Sequence, residues 1–400
     1  EDEPLVIAEH ASFDAAYAVL LNFSSIGTTE RARGAELIIS GLTGVTKACK
    51  RSLTALASDA EIGQLREALK KAVFLQSHLI QEAEKVAAAV GAPAVAVKGR
   101  SGRSGATKKG AAQQSMFEWA ALRETAVARL LESLELDLGT LWCRRAPDEA
   151  LLHLYSAAAN AVLEHVAAIK ASTQSLREAL WRLISIPAVR YNQEVSAITS
   201  IVSMVVAHEH LPVHLAELMR HMLEEHQAAR LVANVVREVT ALSPADMGVD
   251  AAAPKNVAAF LISLATKAPL MLLANIELLH DVLCSDAYTL RCGAVSAFGQ
   301  LQIAVSTMIS PLPSEVEEVA AAILPTILER LHDTSSFVRT RSLATLSGLC
   351  EARALPNASF HLVGEQGLAR LVDKNANVRR GALQLYAKLL EFNPFSGALN

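Results

Sequence analysis

Aromatic side chains are scarce in this chain: Phe, Tyr and Trp make up 4% of its 400 residues, although 52% of the sequence is hydrophobic. The core therefore falls to Ala, Leu and Val, and Ala and Leu are strong helix formers. Helix breakers are modest in number, with 19 Gly and 13 Pro, and the chain reads as all-α. Cysteine is sparse and scattered, at Cys49, Cys143, Cys284, Cys292 and Cys350. The odd count and the lack of any CxxC pair argue against a zinc site or disulfide framework, and fit a reducing intracellular compartment. A net charge of −4 gives no overall pull toward nucleic acid, so any such case must be local. The longest charge-free run, 292–314, contains Gln300, Gln302, Pro311 and Pro313, and reads as a buried helix rather than a membrane span.

Catalytic signatures are missing as well. Gly99, Gly102 and Gly105 are spaced like a loop, but no strand precedes them and no GKS or GKT follows. Without a nucleophile motif or a dinucleotide fingerprint, no enzyme activity and no cofactor is expected. Histidine clusters at His208, His210, His214, His221 and His226, yet Pro212 separates the first two from the rest and no HExxH or Cys completes a ligand set. These histidines read as solvated or interhelical, with no metal.

What the chain does have is repetition. RLHDTSSFVRTRSLATLSGL (330–349) returns forty positions later as RLVDKNANVRRGALQLYAKL (370–389). LCSDAYTLRCGAVSAFGQL (283–301) fits the same frame, with Leu290–Arg291 standing where Val338–Arg339 stands. A period of this size marks stacked helix pairs, a curved α-solenoid of the HEAT or armadillo kind. In each repeat an Asp-bearing turn precedes a Val-Arg or Leu-Arg step. Asp333 and Asp373 suit turn capping, while Arg291, Arg339 and Arg379 can reach a neighbouring repeat's Asp, so these five read as a structural ladder.

The organisation follows. Residues 1–90 form an N-terminal helical region in which Ser58 and Glu61 make a capping box. A basic flexible loop spans 91–115, degenerate helical repeats span 116–255, and clearer repeats span 256–400. Proline marks expected interruptions: a helix over 173–186 stops before Pro187, Pro147 opens the next helix's first turn, and a helix from Ser314 to Leu331 kinks at Pro325. The chain lacks an initial methionine and stops soon after a repeat, so it reads as a piece of something longer.

Two local excesses of positive charge are candidate functional sites. Lys98, Arg100, Arg103, Lys108 and Lys109 fall in a stretch with no acidic residue, suited to salt-dependent, sequence-independent phosphate contacts. Arg341 and Arg380 stand outside the ladder pattern, in a tail, 328–400, with nine Lys/Arg against six Asp/Glu. They are expected to line a basic surface.

FEWAALRETAVARLLESLELDLGTLW, KNVAAFLISLATKAPLMLLANIELLHDVL and SDAYTLRCGAVSAFGQL, in that order, resemble successive blocks of the condensin complex subunit 1 family, the non-SMC HEAT-repeat regulatory subunits of condensin I. The tail, with its DxxxxVR repeats and closing asparagine–proline–phenylalanine turn, is similar too. The resemblance covers about 116–396, extends loosely upstream, and corresponds to the family's N-terminal half. It implies a nuclear, chromosome-associated, non-catalytic subunit of mitotic chromosome condensation. Such a subunit binds the kleisin and, through it, the SMC ATPase heterodimer, and it touches DNA or chromatin. The alternative reading is a HEAT or armadillo adaptor of another class, a transport receptor or phosphatase scaffold.

Overall fold

A computed structural model describes residues 10–55, 58–91, 105–242, 252–308 and 314–394. Among the described residues every regular element is helical, and the chain divides into two compact units, 1–197 and 198–400.

The first unit holds α1 (His10–Leu21), α2 (Thr28–Ala55), α3 (Asp59–Gly91), α4 (Gly105–Leu134), α5 (Leu138–Leu141), α6 (Glu149–Glu164), α7 (Val166–Lys170) and α8 (Gln174–Arg190). Its centre is α3, against which α1, α2, α4 and α6 all pack. Leu65, Leu69, Val73, Leu79 and Ile80 of α3 are buried at helical spacing. Two polar side chains on the buried face bond to neighbouring backbone: Gln76 Nε2 donates to the Ala126 carbonyl at 3.0 Å, and Ser77 Oγ to the Leu154 carbonyl at 2.8 Å. At the start of α3, Ser58 Oγ accepts from the Glu61 N–H at 3.4 Å, while the Glu61 carboxylate turns to Ser52 Oγ at 2.9 Å. The box thus forms on one side only.

Three proline expectations are corrected. The helix expected to stop at 186 runs through Pro187 to Arg190. Proline cannot donate to the carbonyl four residues back, but that carbonyl, Leu183 O, accepts from Ser156 Oγ of α6 at 3.5 Å. Pro147 lies before Asp148, the N-cap of α6, and so precedes the helix rather than opening it. The third case lies in the second unit.

That unit contains most of α9 (Glu194–Ala207), then α10 (Pro212–His226), α11 (Ala229–Ala241), α12 (Ala252–Lys267), α13 (Pro269–Leu273), α14 (Glu277–Leu283), α15 (Tyr288–Thr307), α16 (Ser314–Ala321), α17 (Ile323–Glu329), α18 (Ser336–Glu351), α19 (Phe360–Leu368) and α20 (Ala376–Glu391). The expected kinked helix from Ser314 to Leu331 is instead two helices with a break at Ala322 and a closing 3-10 turn. Pro325 falls in the first turn of α17, where a missing N–H costs nothing. Long helices form one layer, with α12 on α15, α15 on α18 and α18 on α20, and the shorter α14, α17 and α19 pack alongside them. This is the two-layer stacking of a HEAT-repeat α-solenoid. Close approach within the long layer depends on glycine: a Cβ at Gly293 would lie 2.4 Å from the Ala258 Cβ, and one at Gly299 2.4 Å from Thr345 Cγ2.

Candidate functional site

The repeat turns of the second unit are built by one recurring geometry. Asp333 Oδ1 accepts the Ser335 N–H at 2.8 Å, and Ser335 Oγ caps α18 by accepting the Phe337 N–H at 3.3 Å. Asp373, Asn375 and Asn377 repeat this forty residues on, at 2.9 and 2.8 Å. Each turn's carboxylate then takes the arginine of the preceding repeat as a fork. Arg291 Nε and Nη2 donate to Asp333 at 3.0 Å each, and Arg339 Nε and Nη2 to Asp373 at 2.8 and 2.9 Å. Nη1 closes back onto the arginine's own turn, from Arg291 to the Ser285 and Asp286 carbonyls, from Arg339 to those of Asp333 and Thr334, and from Arg379 to those of Asp373 and Lys374. Two-toothed, charge-assisted bonds of this kind are strong and directional. Burial pushes the Asp333 carboxyl up, but the Arg291 bonds, the Ser335 N–H and the charges of Arg291 and Arg330 outweigh it and hold it below its ordinary value. Asp373 is held low chiefly by its bond from Arg339.

Arg291 and Arg339 are engaged in carboxylate forks, whereas Arg341 on α18 and Arg379 and Arg380 on α20 are exposed, with Arg379 bonded to the backbone carbonyls of its own turn. Arg380 Nη2 donates to Asn377 Oδ1 at 3.0 Å. Arg341 looks across to α15, where its charge and that of Arg291 oppose the burial that pushes the Cys292 thiol up. The basic stretch divides differently. Lys98, Arg100 and Arg103 lie outside the described residues. Lys108 and Lys109 fall in the first turns of α4, which starts at Gly105, so the stretch expected as loop through 115 is helical from Gly105 onward. Ala106, Ala111, Ala112, Gln113 and Gln114 explain the helix, since all are good helix formers.

The histidines fall into edge-on pairs, His208 with His210 and His221 with His226, each with ring centroids 5.7 Å apart. His214 Nδ1 lies 3.8 Å from Glu217 Oε2. Among the described residues no group of three or more His, Cys, Asp or Glu converges on a metal-sized site, and no helix is long and apolar enough to cross a membrane.

One cluster of the first unit was not anticipated from the sequence. Glu84 of α3 is 3% exposed and receives four hydrogen-bonding groups. Trp119 Nε1 donates to Oε1 at 2.9 Å, Arg123 donates through Nε to Oε1 and through Nη2 to Oε2 at 3.0 Å, and His165 Nδ1 lies 2.5 Å from Oε2. Burial would raise the Glu84 carboxyl, but His165, Arg123 and Trp119 together pull it below its usual range. The sequence signal is register: Glu84 falls on the stripe of Ile80, Ala83 and Ala87, and Arg123 on that of Trp119, Ala126, Val127 and Leu130, all buried. A charge at a buried position on each of two helices marks a pair.

Residues 28–197 match the family described as non-SMC mitotic condensation complex subunit 1, N-term. Condensin complex subunit 1 of Mus musculus is 29% identical over 404 aligned residues, covering 99% of this chain and 28% of the relative. The Xenopus laevis and Homo sapiens proteins of the same name are 26% and 27% identical over 100% and 99% of this chain. The chain thus spans under a third of these relatives' length, a smaller share than the half expected from sequence. Among solved structures, Kap121p aligns over 97% of this chain and 47% of its own at 12% identity, and a chain of the Pds5–Scc1 complex over 94% and 54% at 11%, each with a TM-score of 0.30. By sequence, along nearly its whole length, this chain is similar to condensin complex subunit 1, and its residues 28–197 match that family's N-terminal region.

Proposed function

We propose that this chain is a non-catalytic scaffold segment of a condensin complex, acting on mitotic chromosomes in the nucleus. The observation that carries the reading is similarity to condensin complex subunit 1 over 99% of the chain. Physically, a curved stack of helix pairs offers a long surface on which an extended kleisin segment can lie across several repeats. The SMC ATPase heterodimer is then engaged through the kleisin, and the ATP chemistry belongs to those partners. DNA contact is the second part of the proposal, through Lys98, Arg100, Arg103, Lys108 and Lys109 and through Arg341 and Arg380. Ladder arginines held by aspartate are poor phosphate ligands, whereas exposed cations release counterions on meeting a phosphate backbone.

Calorimetric titration of the chain with overlapping kleisin segments tests the first part. Saturation at 1:1 with one segment supports it, and heat-silent titrations with every segment overturn it. Salt titration of duplex DNA binding tests the second. Replacing the five cations between 98 and 109 by alanine is expected to weaken binding and flatten the slope of log K against log salt, and Arg341→Ala with Arg380→Ala to do the same to a smaller degree. An unchanged slope in both variants removes DNA from the proposal.

A further inference from the structure

We infer that the seam between α15 and α18 binds single-stranded nucleic acid, with Tyr288 and Phe337 as a stacking platform and Arg341 as the adjoining phosphate contact. This inference rests on, and narrows, the DNA-contact proposal for Arg341 and Arg380.

Large hydrophobic rings seldom stand in water without a partner in a chain so poor in aromatics. Tyr288 is 46% exposed and Phe337 62% exposed, and their rings lie nearly parallel, 4.9 Å between centroids and 22° between planes. The pair bridges the first turns of two neighbouring long helices. It is held by the Arg291–Asp333 fork, which fixes the turn preceding α18 to the N-terminal end of α15. The platform is therefore positioned by the solenoid's own ladder rather than by mutual stacking alone.

Charge extends the platform along the same seam. Arg341 follows Phe337 by four residues on α18 and so shares its helix face, as Cys292 shares that of Tyr288 on α15. Arg341 and Cys292 are close enough for the arginine's charge to act on the thiol. The seam thus presents aromatic rings across one level and a guanidinium one turn further on. The neighbouring helix adds Arg380, exposed near the start of α20, and Lys374, exposed in the turn before it.

Rings beside fixed cations suit a ligand carrying planar bases and phosphates on one flexible chain. A single strand can splay a base onto Phe337 while its phosphate meets Arg341; a duplex keeps its bases stacked inside and offers the rings nothing. Every base has a π-face, so affinity should be tolerant of sequence. Asp286, exposed two residues before Tyr288, sets a negative charge at the edge of the patch and limits its strength.

Fluorescence anisotropy with labelled oligothymidine and a duplex of equal length, on the whole chain at fixed salt, separates the inference from the proposal on which it rests. Phe337→Ala and Tyr288→Ala are each expected to lower oligothymidine affinity about five- to tenfold and leave duplex affinity unchanged, from the usual worth of one base–aromatic stack. Phe337→Trp should restore it, and Asp286→Asn should raise it. Arg341→Ala should weaken both probes. Circular dichroism melting of each variant shows whether it folds, and both rings are exposed enough for folding to survive their removal. Absence of an Arg341 effect on duplex removes Arg341 from the DNA-contact proposal. An Arg341 effect on both probes with no aromatic effect on oligothymidine overturns the stacking inference alone. So does an aromatic effect confined to binding of a kleisin segment, which would reassign the seam to a protein partner.

Discussion

The two units solve one problem in opposite ways. Both must hold helices in register with a core poor in large rings, and both use charge to do it. The first unit gathers its charge at one buried carboxylate, Glu84, which ties α3 to Trp119 and Arg123 of α4 and to His165 between α6 and α7. The second unit distributes the task, giving its last two repeat boundaries one arginine fork and one aspartate each. A hub concentrates the consequence of one change, while a ladder shares it among rungs that hold no side chain in common.

The hub is therefore where the largest loss is expected. Glu84→Ala would leave the Arg123 guanidinium, 6% exposed, buried beside His165 without its counter-charge. Removing one partner of a buried pair costs about 3–5 kcal/mol, and the shift in denaturant midpoint at constant m measures it. Because Arg123 and His165 share the one carboxylate, Glu84→Ala with Arg123→Ala should cost far less than the two single losses added together. A loss no greater than that from removing a single rung would erase the distinction between the units.

Distance along the chain explains why one device is visible in the sequence and the other is not. The rung partners return with the repeat, 42 and 34 positions apart, so the spacing that stacks the helices also displays the Asp and Arg. Glu84 meets Arg123 across 39 positions and His165 across 81, and nothing repeats to show it. Only burial register hints at it, and register depends on knowing which stripe faces inward. The same limit applies at Pro187, where the helix survives because Ser156, 27 positions away from Leu183, supplies the missing donor. Tyr288 and Phe337 carry no motif either; the ring pair exists only because the stacking of two repeats brings their helix starts together.

Single rungs should cost less than the hub. Arg339→Ala or Asp373→Ala is expected to lose about 1–3 kcal/mol, in the range for a charged hydrogen bond with part of its desolvation penalty. The side chains of this rung are 15% and 6% exposed, which keeps the loss below that of the hub. Combining Arg291→Ala with Asp373→Ala, which breaks both rungs, should give a nearly additive loss, within about 0.5 kcal/mol. A large coupling between rungs would mean that the ladder behaves as a second hub.

Acid should probe both devices with the same sign. Glu84, Asp333 and Asp373 are all held below their ordinary values in the folded chain. Each therefore contributes stability that is complete above its unfolded pKa, about 3.9–4.3 for these carboxyls, and that is lost as pH falls through the lower folded value. Glu84→Gln should remove part of the acid dependence of unfolding, as should Asp333→Asn with Asp373→Asn. Urea titrations between pH 7 and pH 2 measure the slopes, and a steeper acid limb in either variant would reverse the sign argued here.

The smallest effect sets the floor against which both devices are judged. Arg220 and Glu224 of α10 also form an arginine–carboxylate contact, at 2.5 Å and four residues apart, but their side chains are 41% and 56% exposed. Water already solvates both ions, so little is gained when they meet, and Arg220→Ala should cost about 0.3–0.5 kcal/mol. Salt then distinguishes this pair from a rung more sharply than size does. At 1 M salt the screening length falls to about 3 Å, and the small loss should vanish. The Arg339–Asp373 fork is two-toothed and largely shielded from solvent, so most of its contribution should survive the same salt. If rung and surface pair fade together, the ladder's geometry adds nothing that an exposed helix pair lacks, and the contrast between the two units would reduce to burial alone.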